Sequence, residues 1–264
     1  MEQETKPIDA VRLIEGLSTV SDMKQRGFAL AERVGGLDNE TIIDVLDIII
    51  EKAAQGHMEC MLVYNGFLIS GVLSKALGKR RMSELAAVAQ DRGRYHIVSV
   101  LVDLPADLDE ERQLQPYVEP GPGDVPLGVR KSMARKPDFK TVQKMSTDQD
   151  HRVIELLLNN PRLTERDVIK IASARPASSK VLEQVYNHQR WITRYSVKKV
   201  IVMNPYTPPS IAVRLLALMS VQDLEEITAD GLLGPEVRSA AGAMLRWKRV
   251  VDSEQWCVLE VSEE

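Results

Sequence analysis

Apolar residues recur along most of this chain at intervals of three and four, the spacing of helices with one buried face, and no convincing strand-type alternation interrupts them outside the last residues. Between 128 and 245 one such stripe is written four times. It reads GVRKSMARKP at Gly128–Pro137, RVIELLLNNP at Arg152–Pro161 and SVKKVIVMNP at Ser196–Pro205, with a degenerate copy, EVRSAAGAML, at Glu236–Leu245. In the first three a Val stands eight residues before a Pro, and in the fourth Val237 is followed by Leu245 at that distance. Counted from the Val, small or apolar residues at plus three, four and five predict the inward stripe: Ser132, Met133 and Ala134; Leu156, Leu157 and Leu158; Val200, Ile201 and Val202; Ala240, Ala241 and Gly242. The Pro cannot continue the helix and pushes the residue before it out of helical conformation.

Each stop is followed by a start. Thr164 with Asp167 is a capping-box variant opening Val168–Ala172. Thr207-Pro208 places a capping residue before a Pro suited to the first helical position, ahead of Ile211–Met219. Ser178 and Ser179 can cap Val181–Tyr186, and Gly234-Pro235 introduces the fourth copy. Helix, stop, cap, helix makes a two-helix unit. The Val-to-Val spacings are 24, 44 and 40 residues, the last two close to two units each. Such periods predict an array in which neighbouring units bury each other's faces.

Upstream, helices are expected at Ile8–Thr19, Met23–Val34 (stopped by Gly35-Gly36), Thr41–Gln55 (capped by Asn39), Met58–Leu77, Met82–Gln90 and Tyr95–Leu104, with residues 1–7 as a frayed terminus. They look paired but share no phrase with the later copies, so divergent repeats and a separate bundle both stay open. Pro105–Pro126, rich in Pro and Gly after Asp107, Asp109, Glu110 and Glu111, is the natural linker. The expected organisation is a helical region over 1–115, a linker over 116–126, repeats over 127–245 and a tail over 246–264. The apolar centre of that tail, Trp256-Cys257-Val258-Leu259, either packs back or docks elsewhere.

The phrases VRKSMARKP, NNPRLTERDVIKIA and VIVMNPYTPPSIAVRLL resemble those of bacterial leucine-rich repeat variant proteins and related HEAT-like helical arrays, over about half the chain. The resemblance implies an all-α fold, a right-handed type of α-helical repeat solenoid, acting as a binding surface. One resembling type carries an iron–sulfur cluster on a cysteine-rich segment. Here the two cysteines, Cys60 and Cys257, lie far apart without the four thiolates such a cluster needs, so no cofactor is expected.

Charge changes the picture most. Residues 1–125 carry 13 Lys and Arg against 21 Asp and Glu, residues 126–217 carry 17 against 7, and residues 218–264 carry 4 against 10. The repeat region is a basic block between acidic ends. Arg130-Lys131 and Lys198-Lys199 occupy plus one and plus two of copies one and three, Arg238 keeps one charge in copy four, and Ile154-Glu155 breaks the row. Stacked repeats would align these into a ridge. Near it lies Arg190-Trp191-Ile192-Thr193-Arg194-Tyr195. The expected partner surface is therefore Arg130, Lys131, Arg135, Lys136, Arg190, Trp191, Arg194, Tyr195, Lys198 and Lys199, with an acidic protein as ligand. Nucleic acid, phosphates on the cations and a base on the rings, is the competing ligand. Core packing between units is the plainer role for Trp191 and Tyr195.

Enzymatic constellations are thin. His57 and Cys60 stand three apart on one helix face, but two ligands make a poor metal site. There is no P-loop and no GxSxG. No apolar run reaches 18 residues and Met1–Pro7 is charged, so neither a membrane span nor a secretion signal is expected, and the thiols suit a reducing cytoplasm. The expectation is a non-enzymatic scaffold or adaptor. The alternative is a nucleic-acid-binding HEAT-like array, a DNA-repair glycosylase type included.

Overall fold

The computed structural model describes residues 10–68, 72–101 and 125–261, the side chains of 67 and 251–261 excepted. The frayed terminus at 1–7, the linker up to residue 124 and the side chains of the tail lie outside the described residues. Every regular element among the described residues is a helix. The chain divides into two compact units. One comprises Met1–Asp103, Val213–Asp230 and Pro235–Glu264, the other Leu104–Ala212 and Gly231–Gly234.

The first unit opens with α1 (Ala10–Ser18), α2 (Met23–Gly35), α3 (Asn39–Ala54), α4 (Met58–Leu68), α5 (Val72–Leu77), α6 (Lys79–Asp91) and α7 (Tyr95–Leu101). Asp38, not Asn39, caps α3, its carboxylate accepting from Thr41 N at 2.9 Å. Helix α2 ends at Gly35 with Gly36 as its cap, the stop the sequence predicts. Helices α2 and α4 cross at two glycines. A Cβ on Gly27 would stand 2.5 Å from Gly66 O, so only glycine admits that approach. Beside it the buried Arg26 donates to the carbonyls of Leu17, Val20 and Leu62. Ile42, Ile43, Leu46, Ile49 and Ile50 of α3 form the centre of the core.

The same unit takes in the end of α15 (Pro209–Leu215), a 3-10 turn at Leu216–Leu218, α16 (Val221–Ala229) and α17 (Pro235–Val261). Tyr64 on α4 donates its hydroxyl to Arg214 O at 2.8 Å. Trp247 on α17 stacks on His96 of α7, ring centroids 4.1 Å apart, while His96 Nε2 meets Asp47 Oδ1 at 2.5 Å. So copy four of the repeat phrase, on α17, belongs with the N-terminal helices rather than with copies one to three. The expected boundary at 245 is also absent, because α17 runs unbroken through it to Val261. Nothing in Trp247–Val261 breaks a helix: it holds neither Pro nor Gly.

The second unit holds α8 (Leu127–Ala134), α9 (Phe139–Met145), α10 (His151–Leu158), α11 (Glu165–Ser173), α12 (Ser179–Asn187), α13 (Gln189–Ile192), α14 (Tyr195–Val202) and the start of α15. The Thr164–Asp167 capping box forms in both directions. Ser178 stands at the N-cap of α12 without bonding from its side chain. Thr207 does not cap α15. Its hydroxyl donates back to Ile201 O at 2.6 Å, and Pro209 rather than Pro208 is the first helical residue.

Candidate functional site

The three phrases of the second unit lie on α8, α10 and α14, and burial shows which way each faces. Val153, Ile154, Leu157 and Leu158 are buried on α10, and Val197, Lys198, Ile201 and Val202 on α14. In copies two and three the inward stripe is therefore the Val itself with plus one, four and five, one turn of 3.6 residues and its repeat, and in copy one it is plus one and plus five, Arg130 and Ala134. Plus three is only half-buried at Leu156 and Val200 and exposed at Ser132. This corrects the charge ridge. The plus-one residues point inward, so Arg130 is 8% exposed and Lys198 1%. Ile154, which looks in the sequence like a gap in a basic row, is the apolar residue that marks this position as core.

The two buried cations are accommodated differently. Arg130 Nη1 binds Asp148 at 2.7 and 2.9 Å to its two carboxylate oxygens. Asp150, next to that pair, accepts from Arg152 Nε at 2.9 Å and Nη2 at 2.7 Å and caps α10 through Arg152 N. These Arg152 bonds hold the Asp150 carboxyl down at about 2. The Lys198 side-chain amine has no hydrogen-bond or ion-pair partner among the described residues, and burial lowers it to about 8.

Copies two and three also share a device that joins helices. Asn160 Nδ2 donates to Ala134 O at 2.8 Å and Lys136 O at 2.9 Å, while Asn160 Oδ1 accepts from Arg162 N at 3.0 Å. Asn204, 44 residues on, repeats it: Nδ2 to Ala172 O at 2.7 Å and Ala174 O at 3.1 Å, Oδ1 from Tyr206 N at 3.0 Å. Both asparagines are 2% exposed. Each satisfies carbonyls that end an earlier helix, groups that a helix cannot satisfy itself. In the sequence only the Pro of this phrase reads as a stop, and the Asn before it goes unread. The signal was the Asn at plus seven in copies two and three, where copy one has Lys136 and copy four Met244.

Of the remaining expected residues, Trp191 is 2% exposed and its Nε1 donates to Leu158 O at 2.9 Å, so it closes the end of α10 as a core residue. The Arg190 guanidinium covers its ring, 4.2 Å from the centroid. Nearby His188 is held below its usual value by burial and by Arg190. Tyr195 is 43% exposed and not core. Arg135, Lys136, Arg190 and Arg194 are exposed, and Lys131 and Lys199 half-buried.

The surface that results is strongly one-signed. Residues 126–212 hold 16 Lys and Arg, of which 12 are exposed and only Arg130 and Lys198 buried. Of their seven acids only Asp138 and Glu155 are exposed: Asp148 and Asp150 are buried in the internal ion cluster, and Glu165, Asp167 and Glu183 are half-buried. In the first unit, His57 and Cys60 border a cavity of about 280 Å³ lined also by Val11, Ile14, Lys52, Met58 and Glu59. Burial pushes the Cys60 thiol up, which disfavours the thiolate a metal would need. Among the described residues no three His, Cys, Asp or Glu side chains gather to hold an ion, and no helix is long and apolar enough to cross a membrane. No protein-family model, curated protein or solved structure matches the chain.

Proposed function

We propose that this chain is a non-enzymatic adaptor whose second unit is a short helical repeat array, of solenoid type, presenting a basic face to an acidic protein. The observation that carries the reading is the exposed charge between 126 and 212: twelve cations against two acids. The recurrence of the asparagine bonds at a 44-residue interval supports the repeat architecture, since equivalent residues make equivalent joints. A surface fixed by such joints loses little freedom on association, and one-signed charge steers an oppositely charged partner to it. The test is affinity capture from native lysate by the full chain, with half the lysate nuclease-treated and bound proteins identified by mass spectrometry. One or two proteins retained after nuclease are expected. Material lost with nuclease would assign the face to nucleic acid and overturn the adaptor reading.

A further inference from the structure

We propose that the partner docks on the α8–α9 hairpin and that it presents an acidic segment carrying large apolar side chains. This rests on the adaptor reading and adds where the partner sits and what chemistry it brings. The repeat Val is buried completely in copies two and three and 2% exposed in copy four, yet Val129 of copy one is 48% exposed. Phe139, which opens α9, is 57% exposed. The hairpin thus keeps open to water the same position that its sister copies close. It also carries Lys136 where copies two and three carry the asparagine that reaches back to an earlier helix.

The surroundings select the sign of the occupant. Arg135, Lys136, Lys140 and Lys144 are exposed and Lys131 half-buried on this stretch. Its one acid, Asp138, is engaged at the start of α9, accepting from Thr141 N at 2.9 Å and Thr141 Oγ1 at 2.8 Å. Five cations against one carboxylate leave the stretch net positive and call for an anionic ligand, and two open apolar side chains call for apolar contact. Nucleic acid would meet the first need and leave Val129 with no aliphatic surface to bury. An acidic segment with Leu, Ile or aromatic anchors meets both, with the anchors supplying affinity and the charges orientation.

The test is selection of a phage-displayed random dodecapeptide library on the full chain at physiological salt, followed by titration of the enriched peptides. Val129→Ser with Phe139→Ser removes the anchors at exposed positions, and circular dichroism checks the fold. Lys140→Glu with Lys144→Glu reverses the charge independently. The expected result is enrichment of peptides with several acids and at least one large apolar residue, bound roughly 10-fold or more weakly by each double variant. The inference is overturned by no enrichment, by peptides lacking either feature, or by peptides that both variants bind as tightly. A single-stranded DNA 12-mer that outcompetes the best peptide would also overturn it. Lysate capture scores a partner bound anywhere on the chain. A protein retained equally by the Val129→Ser, Phe139→Ser variant would therefore sink this docking site and leave the adaptor reading standing.

Discussion

Lys198 and Arg130 occupy the same place in their repeats and show how one position can hold a buried cation in two ways. Arg130 is neutralised by Asp148, whereas Lys198 is not paired among the described residues and its amine falls to about 8. Between that value and the ordinary 10.5 the unfolded chain binds more protons than the folded one, so stability rises with pH across that window and is flat below it. The full rise is on the order of 3 kcal/mol. Lys198→Met should remove the slope and raise the urea midpoint at pH 7; a lowered midpoint would mean the ammonium has a native partner. Asp148→Ala should instead cost about 3–5 kcal/mol, because it strands Arg130 in the interior, while Arg130→Met with Asp148→Leu should come close to neutral. Asp150 gives a slope of the same sign in the acid range. Its folded value is depressed from 3.8 to about 2, so its contribution is present above the unfolded value and lost as pH falls through that interval. Acid titration of Arg152→Met should show a shallower loss than the wild type.

Among the elements, the parts written in local residue chemistry are the ones the sequence shows: the Thr164–Asp167 box, the Gly35-Gly36 stop and the three Val-to-Pro helices all form. Direction was harder. A helix of eight residues with mixed positions admits more than one inward face, and the choice at plus one turned on a single Ile154. The asparagine joints were harder still, since a bond from Asn204 to Ala172 and Ala174 depends on which helices meet, not on neighbouring residues. Asn160→Ala and Asn204→Ala should each cost roughly 1–3 kcal/mol by leaving one buried carbonyl unsatisfied and loosening a second, part-buried one. Hydrogen exchange should then rise at the ends of α8 and α11 respectively, and uniform exchange across the unit would contradict the joint. Trp191→Phe should cost roughly 2–3 kcal/mol, since it removes the Leu158 bond and part of a buried ring.

At the scale of the molecule, the all-helical class and the basic block were legible because they are sums over many residues. The division into units was not. Residues 213–230 and 235–261 join the N-terminal helices through contacts such as Tyr64 to Arg214, which span 150 positions and leave no mark in local pattern. The expected site was legible in composition but not in every member: Arg135, Lys136, Arg190 and Arg194 are exposed, whereas Arg130, Trp191 and Lys198 are interior. The most direct measurement compares capture by the wild-type chain with capture by the Arg135→Glu, Lys136→Glu, Arg190→Glu, Arg194→Glu variant, in nuclease-treated lysate. Equal thermal midpoints would first establish that the fold is kept. The account predicts that the specific proteins bound by the wild type are lost from the variant; their recovery in equal amount would contradict the claim that the basic face is the binding surface.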